Sequence, residues 1–122
     1  MIKLKSINVK IKELKVELKS KIFEIALCCR KIEGENYVMT ITSGNDSTHK
    51  QGSKHYSNEA IDIRSKDMVK PIDVKNEIKK TLGADFDVIY EGNHIHVEYD
   101  PKGAKRIINY LSNIYDNRKE KI

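Results

Sequence analysis

The side chains able to do chemistry are concentrated in two short stretches. All four histidines of this 122-residue chain lie there, His49 and His55 in one and His94 and His96 in the other. The run His94-Ile95-His96-Val97-Glu98 alternates polar with apolar residues. On a strand, residues i, i+2 and i+4 share a face, which puts His94, His96 and Glu98 on one side and Ile95, Val97 and Tyr99 on the other. Two imidazoles held this way suit a transition metal, because each offers a neutral nitrogen donor and the strand fixes their separation. A polar strand surface with no metal has the same pattern.

The first stretch narrows the chemistry. His55 and Asp62 are seven residues apart, and Asp62 is flanked by Ile61 and Ile63. Alternation sets Asp62 on the face opposite those two. A carboxylate inside such a strand needs a partner, since an unpaired buried charge is costly. One arrangement is ordinary: a hydrogen bond to backbone, or pairing with Arg64 or a lysine. The other is a site of two histidines and one aspartate for zinc, which leaves a fourth position open to water, the catalytic pattern.

These residues also carry a family resemblance. Ser53-Lys-His55-Tyr-Ser-Asn58-Glu-Ala60-Ile-Asp62 resembles the SxHxxGxAxD motif of the zinc D-Ala-D-Ala carboxypeptidase/L-alanyl-D-glutamate peptidase family. Phe86 to Tyr90, Glu91 and His94-Ile-His96 are similar to the second half of that family's site. The amino-terminal signalling domain of hedgehog proteins shares the pairing and the fold. The resemblance spans roughly residues 40–100, and small phage and prophage peptidases are the most similar members.

The resemblance implies one Zn2+ ion held by His55, Asp62 and His96, with His94 and Glu91 as the catalytic base and its helper. It implies substrate-binding roles for Ser53 and His49, and peptidoglycan stem peptides as the partner. The pattern Glu91-Gly-Asn-His94 also fits the ExxH motif of the dipeptidase branch, in which His94 would be the ligand and Glu91 the base. The family glycine after His55 is Asn58, the commonest non-glycine type at positive φ, so a tight turn survives. Many relatives carry an arginine after the Ser-Gly that ends the preceding strand; here Ser43-Gly44 is followed by Asn45-Asp46. Arg64, His49 and Lys50 are the candidates to replace it on a substrate carboxylate. Two functions follow: a zinc metallopeptidase of the carboxypeptidase or phage endolysin kind, or an inactive zinc-binding module of the hedgehog-like fold acting in protein or cell-wall binding.

The elements that must position these residues are legible from periodicity. Residues 2–11 alternate with a slip at Ser6 and predict an edge strand. Ile11, Leu14, Leu18, Ile22, Ile25, Cys29 and Ile32 then recur every three or four residues, which predicts a long amphipathic helix stopped by Gly34. Strands are expected over 37–42 and 60–63, with a Ser/Gly/Asn-rich loop from Ser43 to Lys54 between them. Pro71 opens a helix to about Leu82, with Ile72, Val74, Ile78 and Leu82 as its apolar stripe. Phe86–Tyr90 and Ile95–Tyr99 read as a hairpin around Glu91-Gly92-Asn93. Asp100-Pro101 begins a last helix carrying Ile107, Ile108, Leu111 and Ile114. No βαβ rhythm is present, so the expected fold is α+β, a small mostly antiparallel sheet with flanking helices; the resemblance implies that residues 1–122 form one zinc peptidase-like domain.

Composition excludes several alternatives. Residues 1–31 hold nine Lys/Arg and three Glu, and the other 91 residues hold 14 basic and 15 acidic, so the whole +5 excess belongs to the first segment. There Glu13, Glu17 and Glu24 interrupt the lysines and no aromatic platform accompanies them, which argues against nucleic acid as a partner. No apolar run is long enough to cross a membrane. The start, Met1 to Lys12, lacks the apolar stretch of a signal peptide, so cytoplasmic synthesis is expected, with release by a holin or carriage in a virion. Adjacent Cys28 and Cys29 are expected to be buried free thiols, and a monomer is expected.

Overall fold

The computed structural model describes residues 1–44, 58–101, 111, 112 and 114. Its fold is α+β. The elements in chain order are β1 (Ile2–Leu4), α1 (Val16–Lys19), α2 (Ile22–Glu33), β2 (Met39–Ser43), β3 (Ala60–Arg64), α3 (Pro71–Leu82), β4 (Phe86–Tyr90) and β5 (His94–Tyr99). The strands form one open sheet in the order β1-β2-β3-β5-β4. Only β1 and β2 run parallel; every other pair is antiparallel.

Alternation along the strands divides the sheet into two faces. Met39, Ile41, Ile61, Ile63, Ile95 and Val97 are fully buried and join the core cluster that also holds Leu18, Ile25 and Cys29 from α1 and α2 and Val74 and Ile78 from α3. The opposite face carries Thr42, Asp62, Arg64, His94, His96 and Glu98. This is the expected phase for β3 and β5, and register locks it: Asp62 pairs with His96, Ile63 with Ile95 and Arg64 with His94. A slip of one residue would bury the histidines and expose Ile95 and Val97.

The amino-terminal expectations need two corrections. The strand expected over 2–11 ends at Leu4, with Lys5 N–H still donating to Ile41 O at 2.9 Å. Ser6 then turns the chain: its hydroxyl oxygen accepts from Asn8 N–H at 3.2 Å and its carbonyl from Val9 N–H at 3.2 Å. The single long helix is instead two. Ser20 Oγ donates back to Glu17 O at 3.3 Å, and Lys21 N–H bonds Leu18 O at 2.9 Å, a tightened i→i−3 turn that separates α1 from α2. The stripe itself is buried as expected at Leu14, Leu18, Ile22, Ile25 and Cys29.

Helix α3 keeps its expected bounds, with Pro71 in its first turn and Gly83 at φ +82 beyond its end. Ile72 is 55% exposed, contrary to its place in the expected stripe. Two residues of helix amount to about 200° of rotation, so Ile72 and Val74 cannot share a face. The hairpin forms as expected, with Gly92 at φ +87 and Glu91 N–H donating to His94 O at 2.9 Å. Of the last expected helix, Ile107 and Ile108 lie outside the described residues; Leu111, Ser112 and Ile114 are helical, and Leu111 is exposed rather than on a buried stripe.

Candidate metal centre

The middle of the polar sheet face is set by backbone pairing. Because Asp62 and His96 are direct partners on adjacent antiparallel strands, their side chains meet without any loop having to place them. His96 Nδ1 lies 2.9 Å from Asp62 Oδ1, and its other nitrogen, Nε2, lies 3.0 Å from Glu98 Oε1. Both side chains of the central pair are largely buried, at 13% and 14% exposure. Burial pulls the His96 pKa down, but hydrogen bonds and charge from Asp62 and then Glu98 outweigh it, so His96 titrates above an ordinary histidine.

Such a ring, flanked by carboxylates on both nitrogens, is at rest only when both nitrogens donate or when a cation replaces one proton. Asp62 and His96 thus offer two donor atoms to a metal; among the described residues neither His94 nor another carboxylate joins them as a third donor within 4.8 Å. A ligating histidine usually gives its second N–H to a carboxylate, which fixes tautomer and ring orientation, and Glu98 stands in that place. The 2.9 Å between Asp62 Oδ1 and His96 Nδ1 is close to the ~3.3 Å that two ligands at about 2.0 Å in a tetrahedral zinc site impose.

His94 is held differently. Its Nδ1–H donates to Asn93 Oδ1 at 2.6 Å, so the neutral ring presents an Nε2 lone pair. That nitrogen faces Glu91 Oε2 at 3.5 Å and Asp62 Oδ1 at 4.0 Å. The turn carrying this pair is pinned to the end of β3: Ser65 N–H donates to Asn93 O at 3.0 Å and Ser65 Oγ to Gly92 O at 3.1 Å.

Beside His94 the sheet opens into a cleft of about 180 Å³ lined by Lys5, Thr42, Asp62, Arg64, Lys66, Asn93 and His94. Of the residues expected to make the site, Asp62, Arg64, Glu91, His94 and His96 are thus brought to one region. His49, Ser53 and His55 lie outside the described residues. Asn58 has φ +61, in the left-handed region that favours glycine, as expected of a tight turn there.

Sequence reasoning missed Glu98 as the partner of His96, and it missed Asp87 and Asp100. Carboxylate oxygens of Asp87, Glu98 and Asp100 lie within 4.8 Å of one another. The signal was available in the hairpin register, which sets Asp87 directly opposite Glu98. It also missed Lys5 and Lys66 at the cleft, because neither belongs to either histidine stretch.

Neither a scan of protein-family models nor a search of curated proteins finds a match to this chain.

Proposed function

We propose that this chain is a zinc-dependent peptidase acting on peptidoglycan stem peptides, with a hedgehog/DD-peptidase-like fold. The observation that carries the reading is the buried Asp62–His96 pair at 2.9 Å with Glu98 on the far nitrogen of the ring. His55, Asp62 and His96 would hold one zinc ion. Bound zinc supplies Lewis acidity, polarising a peptide carbonyl and lowering the pKa of water. His96 is preferred to His94 as the third ligand because its Nδ1 is closer to Asp62 and its ring is backed by a carboxylate.

The remaining residues act on protons and substrate. His94 Nε2, with its lone pair turned toward Glu91 and Asp62, takes a proton from the attacking water and returns it to the leaving amine. Glu91 steadies the imidazolium that forms, or takes the proton itself; the two act as one unit across 3.5 Å. Arg64, on the cleft wall, orients the substrate, together with His49 and Ser53.

One observation favours a second reading. The arginine that many relatives carry after Ser43-Gly44 is replaced by Asn45-Asp46, which suits a zinc-bearing module that binds without cleaving. The two readings separate in a single series. Glu91→Gln and His94→Ala are expected to keep zinc and lose about 10²–10⁴-fold in turnover. Zinc uptake by the wild type without any hydrolysis selects the module.

A further inference from the structure

The cleft beside the proposed centre has an unbalanced charge. Lys5, Arg64 and Lys66 all line it, and among the described residues Asp62 is its only acid. Among the described residues, none of the three cations forms an ion pair or a side-chain hydrogen bond, and Asp62 is already engaged by His96. Three cations and one carboxylate leave a formal +2 on the described part of the walls. Their placement is enforced by backbone. Lys5 continues the β1–β2 pairing through its N–H to Ile41 O at 2.9 Å. Arg64 ends β3 on its polar face, and Lys66 stands in the turn that follows, next to Ser65, which is only 2% exposed and tied to the hairpin turn.

Like charges gathered without partners repel, and a bound anion removes that cost. The cleft, at about 180 Å³, has room for roughly six waters at about 30 Å³ each, well below the ~300–1,000 Å³ of a drug-sized site. It therefore suits one side-chain-sized acid. We infer that Lys5, Arg64 and Lys66 form a subsite for a compact dianion, which selects peptides carrying paired acidic groups beside the bond to be cut. A single carboxylate would satisfy Arg64 alone, through its bidentate fork, and leave both lysines without a counter-charge. The role in substrate choice rests on the peptidase reading; the anion site does not.

The test titrates the full chain, without metal and with one equivalent of zinc, with glutarate, acetate and inorganic phosphate. Binding is followed by amide chemical shifts and calorimetry. Glutarate is expected to bind at least tenfold more tightly than acetate, shifting Lys5, Arg64 and Lys66 amides. Lys5→Gln and Lys66→Gln, both at exposed positions, are each expected to weaken glutarate several-fold while zinc content stays unchanged. Phosphate binding at the same residues supports the dianion site and makes a phosphoryl group its ligand in place of a dicarboxylate. Equal affinity for glutarate and acetate, or glutarate binding untouched by both substitutions, overturns the inference. Cleavage of stem peptides with no anion binding defeats the subsite alone; anion binding with no zinc uptake defeats the peptidase alone.

Discussion

In the proposed peptidase the chemistry turns on His96, and its two neighbours would make separable contributions. Asp62 meets Nδ1, and Glu98 meets Nε2. If Nδ1 is the metal donor, Asp62→Ala and His96→Ala should each abolish stoichiometric zinc, measured by metal analysis after dialysis. In the proposed centre Glu98 would act through the ring rather than on the metal. Glu98→Ala is expected to weaken zinc about 10–100-fold, while Glu98→Gln, whose amide oxygen still accepts the Nε2–H, should lose less. Equal losses in the two variants, followed by competition with a chromogenic chelator, would remove Glu98 from this role. Like charges opposite one another destabilise a sheet, and Asp87 faces Glu98. The bond to His96 gives Glu98 a compensating partner.

At the scale of elements, the turn before β3 holds a non-glycine residue in the left-handed region. Asn58 stands at φ +61, and among the described residues its Oδ1 is buried without a hydrogen-bond partner. Asn58→Gly relieves both costs and is expected to hold or raise stability. Asn58→Val forces a β-branched residue into the left-handed region and should cost roughly 1–2 kcal/mol, read from urea midpoints. In α2, burial, before the charge of neighbouring groups, pushes the Cys29 thiol up to about 12. At pH 8 it therefore stays protonated in the folded chain. Alkylation of Cys29 should be slow until denaturant is added; rapid modification of the native protein would contradict its place in the core.

The same elements show what a sequence discloses and what it conceals. Strands β3, β4 and β5 and helix α3 were legible because alternation, Pro71 and the Gly-Asn turn are local signals that tertiary packing did not override. The phase of Asp62, His94 and His96 followed from period two alone. The break at Ser20 was not legible, because a hydroxyl bonding back to Glu17 O leaves the apolar spacing intact. The short β1 was hidden for a related reason: alternation continues past Ser6 although the backbone has already turned. Period two already set Glu98 on the face of His96, but whether its carboxylate or a neighbouring strand meets the ring is decided by packing; Lys5 reaches the cleft only through the pairing of β1 with β2, and one strand's sequence carries no such information.

At the scale of the whole molecule, a metal gripped by residues from different elements links binding to folding. His96 belongs to β5 and Asp62 to β3, so a ligand that binds only the folded chain must stabilise it. Zinc at a hundredfold excess over its Kd is expected to add about 2.7 kcal/mol, visible as a rise in Tm that is lost with Asp62→Ala. The basic excess of residues 1–31 enters this account only through Lys5, which turns a scaffold charge into a wall of the cleft. The most direct test loads wild type and Glu91→Gln with one equivalent of zinc and digests peptidoglycan stem peptides with each. New amino groups are sought by mass spectrometry. The account predicts fresh amines from the wild type and none from Glu91→Gln at equal zinc content. Intact peptides from a fully zinc-loaded wild type would contradict it.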